Sequence, residues 1–176
     1  MPKLILDDYS LDRRAAQFHK FLNPLLRENS VPFFKMPKFN KIYLVAGKKL
    51  AEDYRDYRFL TKSKNIRALY FEEWSPIDIK KQDKWLLTKS YLTLYLNEKT
   101  DHDEIEFLCL HSDPTDPSPY KQVFHLHIKA ADHPIPKSHI SLGLVYINDI
   151  FKTIEEYNKN LTSGIKMICD EVLSRL

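Results

Sequence analysis

The stretch Trp85-Leu86-Leu87-Thr88-Lys89-Ser90-Tyr91-Leu92-Thr93-Leu94-Tyr95-Leu96 decides the fold class. Its second half alternates strictly: Leu92, Leu94 and Leu96 fall on one side, Tyr91, Thr93 and Tyr95 on the other. That is the period of a strand in a sheet whose two faces meet different surroundings. Downstream, Asn97 to Glu104 reads as a hydrophilic turn and Ile105–His111 as a returning strand. A loop carrying Pro114, Pro117 and Pro119 follows, and Lys121–Lys129 and His139–Ile147 supply two more strands. Residues from about 85 to 147 therefore read as an antiparallel meander.

Upstream the pattern is mixed. Ser10 is placed to cap a helix over 11–28, with Leu11, Ala15, Phe18, Leu22 and Leu25/Leu26 at helical spacing and Pro24 kinking it or ending it one turn early. Pro32 and Pro37 bracket an expected loop, and Ile42–Ala46 reads as a short buried strand stopped at Gly47. Residues 48–60 look helical, with Leu50, Tyr54 and Tyr57 on one face, and 66–72 form another strand. The chain closes on an amphipathic helix from about Asp149, its stripe running through Ile150, Ile154, Tyr157, Leu161, Ile165, Ile168 and Val172. The expectation is one α+β domain over 1–176. Helices cover the leucine face of the meander, the N-terminal part is mixed α/β, and a long helix ends the chain.

Composition excludes some functions. With three glycines in 176 residues, neither a dinucleotide fingerprint nor a phosphate-binding P-loop can be found. The first residues, with Lys3, Asp7 and Asp8, resemble no secretory signal, and no apolar run spans a bilayer, so a cytoplasmic location without a membrane partner is expected. Cys109 and Cys169 form no C-x-x-C pair and read as buried thiols of a reduced compartment. Charge is unevenly spread: Lys35 to Arg67 holds ten Lys or Arg against three acids, whereas Glu98 to Tyr120 holds seven acids against one lysine. Lys48, Lys49, Arg55, Arg58, Lys62 and Lys64, interleaved with aromatic residues, form a candidate track for a nucleic-acid backbone. The alternative is an ordinary solvated face.

Chemistry concentrates where the histidines do. Five of the seven lie between His111 and His139, including Phe124-His125-Leu126-His127-Ile128. Parity puts Tyr91, Tyr95, Phe107, Cys109, His111, His125, His127 and His139 on the face opposite the leucines. A turn symmetric about His133 sets His127 opposite His139, with His125 one pleat away. Those three imidazoles are the primary candidates, as metal ligands or as general acid and base, and the implied ion is zinc or another divalent transition metal. His111, folded back about Asp116, falls beside Lys121 and more than a dozen ångströms from His125, so it ranks second with His133 and Lys129. His19 and His102 read as structural. The H-x-H strand is similar to that of histidine-triad nucleotide hydrolases over two histidines only, since Lys129 stands where those have a third. The spaced glycines and later histidine motif of cupins are not evident.

Two functional readings follow. One is a small interaction or binding protein, associated with nucleic acid through the 35–67 segment or with a protein partner or its own copy through Tyr91, Tyr95 and Phe107. The other is a metal-assisted or histidine-based phosphoesterase or nuclease built on His125, His127 and His139.

Overall fold

The computed structural model describes residues 3–27, 32–49, 57–97, 104–129, 138–142 and 147–176. Its centre is one antiparallel sheet. In chain order the strands are β1 (Ile5–Asp7), β2 (Phe33–Lys38), β3 (Lys41–Ala46), β4 (Lys48–Lys49), β5 (Tyr57–Leu60), β6 (Ile66–Pro76), β7 (Lys84–Asn97), β8 (Glu104–Ser112), β9 (His125–Ile128) and β10 (Ser138–Ser141). Across the sheet the order runs β10-β9-β8-β7-β6-β3-β2, with β1 beside β7 and the β4–β5 pair joined to β6. The helices are α1 (Asp8–Leu22), α2 (Pro119–Gln122), α3 (Ile147–Ile150) and α4 (Ile154–Met167). This is the expected α+β meander with a long C-terminal helix.

The leucine face forms the main core. Leu44, Ile66, Tyr70, Trp74, Leu92, Leu94, Leu108, Leu110 and Leu126 pack with Leu11, Phe18 and Leu22 of α1 and Tyr157, Leu161 and Ile165 of α4. Gly164 lets α4 approach the sheet, because a Cβ there would lie 3.0 Å from Leu110. The helix therefore runs unbroken through this residue. On the opposite face Tyr43, Val45, Tyr57, Leu69 and Phe71 form a second buried cluster, flanked by Met36, Tyr91 and Tyr95.

Several boundaries differ from the sequence reading. Asp7, not Ser10, caps α1: its carboxylate accepts from the Ser10 N–H at 2.7 Å. The helix stops at Leu22, ahead of Pro24. The expected loop between Pro32 and Pro37 is strand β2, an edge strand where a proline forfeits no ladder bond. The expected helix over 48–60 is replaced at both ends by β4 and β5, while residues 50–56 lie outside the described residues. Tyr57 and Phe59 are buried on alternate positions, a strand's period that the Leu50/Tyr54/Tyr57 spacing masked. Gly47, at φ +130°, makes the corner between β3 and β4, where a Cβ would lie 2.6 Å from the Arg58 backbone.

Candidate metal centre

Two cross-strand rows build the site. In the first, Phe71, Tyr91, His111 and His125 stand directly opposite one another on β6, β7, β8 and β9. In the second, one pleat along, come Leu69, Thr93, Cys109, His127 and, on β10, His139. His127 is thus the diagonal neighbour of His111, within reach of a long side chain.

The sequence reading placed His111 beside Lys121, and the structure corrects this. Residues 119–122 are helical rather than extended: Pro119 opens the turn, and Asp116 accepts from the Ser118 N–H at 2.8 Å and from the Gln122 amide at 2.6 Å. The strand begins only at His125, so the fold-back centre moves from Asp116 to Ser118. His111 slides by four residues along its neighbour, about 13 Å, and lands opposite His125. Because the centre moved by whole residues, the face assignment was unaffected.

The imidazole rings converge. His111 and His125 have ring centroids 3.9 Å apart, His111 and His127 also 3.9 Å, and His125 and His127 5.1 Å. Nε2 of His111 faces Nε2 of His127 in a short contact. One nitrogen from each of the three histidines lies within 4.8 Å of the others. Nitrogens sharing a tetrahedral ion at 2.0–2.1 Å lie roughly 3.3 Å apart, a separation that modest side-chain rotation reaches. His111 and His125 are buried, and His127 is half-buried.

One ring is held on its far side by a hydrogen bond, and a second has a carboxylate close to it. His125 Nδ1 lies 2.9 Å from the Val123 carbonyl oxygen, an acceptor only, so Nδ1 carries the proton and Nε2 keeps its lone pair. His111 Nδ1 lies 3.4 Å from Asp113 Oδ2. The other Asp113 oxygen accepts from the Tyr91 hydroxyl at 3.0 Å. Burial raises the Asp113 carboxyl, but the nearby His111, the hydrogen bond from Tyr91 and the charge of Lys89 outweigh it, leaving its pKa below the usual value. The Asp113 charge lies beside His111 Nδ1 without hydrogen-bonding it, which favours the proton on that nitrogen and the Nε2 lone pair toward His127. Ligating histidines are oriented in this way, through a carbonyl or carboxylate on the second nitrogen.

Comparison with known proteins returns no matching family model, curated protein or solved structure. The chemistry therefore rests on the geometry.

Of the primary candidates, His125 and His127 meet at the centre, and His111 joins them. His139 pairs with His127 in the ladder, as its symmetric turn implied, but its side chain lies outside the described residues. So does all of His133. Lys129 is exposed and paired with Glu106 at 3.0 Å. Phe107 was grouped with Tyr91 and Tyr95 but packs against the leucine core instead. A bulge explains the change, since Leu94 pairs with Leu108 and Tyr95 with Glu106, leaving Phe107 as the extra residue.

Cys109 is buried, in contact with Thr93 Oγ1 at 3.3 Å. Burial pushes its thiol up to about 12 against the opposing Thr93 hydrogen bond, so it is no thiolate at neutral pH. Of the basic candidates, Arg58 is mostly buried, 2.8 Å from Glu104 and with its guanidinium 4.0 Å from the Tyr95 ring centroid. Lys62 donates to the Asn23 carbonyl at 3.1 Å. Lys48 and Lys64 are exposed, whereas Arg55 and the Lys49 side chain lie outside the described residues. The residues missed in the sequence are Asp113 and Tyr91 as supports of His111. The His111-Ser112-Asp113 spacing was their only local signal.

Proposed function

We propose that this chain binds one divalent transition-metal ion of the zinc class through His111, His125 and His127, and uses it for hydrolysis. The observation that carries the reading is the convergence of three imidazole nitrogens within 4.8 Å of one another, with His125 Nδ1 held on Val123 and the Asp113 carboxylate beside His111 Nδ1. Three neutral nitrogen donors suit zinc and its neighbours better than magnesium or calcium, which prefer oxygen. Three ligands leave a fourth position, and the half-buried His127 marks the side open to solvent.

Bound there, such an ion supplies Lewis acidity and lowers the pKa of water in the fourth position. The chain's own part is orientation: Val123 fixes the His125 ring, the Asp113 charge lies beside His111, and Tyr91 packs against both Phe71 and His111. Phosphoesters are the first substrate class to test, as activated esters on which metal-assisted hydrolysis is readily followed. The interaction and nucleic-acid readings draw less from the geometry. Tyr91 is bonded to Asp113, Tyr95 lies under Arg58, Phe107 has left the face, and Arg58 and Arg67 are both ion-paired with Glu104.

Metal analysis of the purified chain, melting curves with added Zn2+, Co2+, Ni2+ and Mn2+, and hydrolysis of an activated phosphodiester test the proposal. Metal-dependent stabilisation that disappears in His111→Ala, His125→Ala and His127→Ala is expected. Absence of bound metal and of any melting shift would remove the site. Binding without hydrolysis would remove only the catalytic half.

A further inference from the structure

At the end of the sheet where β6 turns into β7, two turns expose apolar side chains. The β2–β3 hairpin closes between Lys38 and Lys41, leaving Phe39 and Asn40 at its tip with φ of 52° and 57°. Both central residues at positive φ make the type I′ geometry that Asn-Gly favours. A bulky phenylalanine there is strained. Its ring is 84% exposed and meets the Lys38 ammonium at 5.4 Å from its centroid.

The β6–β7 turn lies at the same end, because Ile42 pairs with Trp74 and Pro76 with Trp85. It presents Ile77 at 51% and Ile79 at 66% exposure. The two turns meet across an open cleft of about 660 Å3 lined by Lys38, Phe39, Asn40, Lys81, Gln82 and Trp85. In formal charge, residues 37–41 and 76–84 carry Lys38, Lys41, Lys80, Lys81 and Lys84 against Asp78 and Asp83. Lys41 is paired with Glu73 at 2.8 Å, and the positive balance remains.

We propose that this end of the sheet docks on an anionic phospholipid surface, with Phe39, Ile77 and Ile79 entering the headgroup boundary and the lysines meeting lipid phosphates. Lysines near such a surface each add about fivefold in affinity, and apolar tips add burial. Ile77 and Ile79 lie on an exposed turn outside that cleft, where a flat surface reaches them and a peptide seated in the cleft would not. Two of the three tips are aliphatic and offer no face on which a base could stack, which weighs against single-stranded nucleic acid. No described helix is long and apolar enough to cross a membrane.

The test is sedimentation of the full chain with vesicles of phosphatidylcholine, alone or with roughly one-third phosphatidylserine. Binding only to the anionic vesicles, weakened by salt, is expected. Phe39→Asn combined with Ile79→Ser should reduce it about tenfold or more. Phe39→Asn alone relieves the turn, so its melting temperature should not fall, which separates lost contact from lost folding. His127→Ala should bind vesicles as the parent does, keeping this result independent of the metal site. No binding to anionic vesicles, or binding that ignores Phe39 and Ile79, overturns the proposal. So does retention by a single-stranded oligonucleotide in place of vesicles.

Discussion

Replacing Asp113 by asparagine keeps an oxygen for the Tyr91 hydroxyl but removes the charge beside His111 Nδ1. Metal affinity is expected to fall about 10- to 100-fold, the usual range for losing such a support. Competition against a chromophoric chelator measures it, and an unchanged affinity would mean that Asp113 does not orient His111. Phe39→Asn argues at the same scale in the other direction, since asparagine tolerates the left-handed conformation. We expect a gain of about 0.5–1 kcal/mol in denaturant unfolding. Much of the residue-level chemistry was legible: alternation put His111, His125 and His127 on one face, and it held. Their distances were not, because a four-residue helical turn before β9 reset the register, and nothing in a proline-rich loop fixes where its next strand begins.

Elements were legible where their period ran undisturbed and were lost where a single residue broke it. From Tyr91 onward β7 alternates as read. Before it, Trp85 and Leu87 also face the leucine core, although their numbers are odd. Thr88 is the extra residue at the shift between Glu73 and Trp74, and it switches the phase. The same kind of irregularity took Phe107 off the histidine face. A bulge leaves no mark in composition.

Two predictions belong to the elements. Arg14 of α1 and Glu72 of β6 form a fully buried ion pair, braced by Asn158, Tyr70 and Trp74. Breaking it with Glu72→Ala should cost about 3–5 kcal/mol in urea unfolding, whereas Arg14→Met with Glu72→Leu should cost far less. If the single and double replacements cost the same, the penalty is not an orphaned charge. The second prediction concerns Glu73. Burial raises its carboxyl, but hydrogen bonds from Lys41 and Thr88 and the charges of Lys89 and Lys41 dominate, so its folded pKa lies below the ordinary 4.5. A depressed carboxylate stabilises the fold above its unfolded pKa, and that contribution is lost as pH falls through the folded value. Stability below about pH 4.5 should therefore decline less steeply in Glu73→Gln than in the parent, as followed by circular dichroism.

For the molecule as a whole, both sheet faces are packed, the leucine side under α1 and α4 and the other in the Tyr43–Phe71 cluster. The histidines occupy the end of that second face nearest β9, where the sheet has fewer neighbours beyond it. Metal that binds only the folded state adds about 2.7 kcal/mol when free metal exceeds Kd about 100-fold. A melting temperature that rises with metal in the parent, and not in His125→Ala, is the expected outcome. Acid should reverse the shift, since imidazole ligands bind metal only when deprotonated.

The direct opposition of His111 and His125 also bears on the order of folding events. Only 16 positions separate His111 from His127, so closing one local loop assembles every ligand without waiting for α1 or α4. In stopped-flow refolding, metal should raise the folding rate if β8 and β9 are paired at the barrier. If they pair later, it should only slow unfolding. On the first outcome, the three proposed ligands draw β8 and β9 together early in folding.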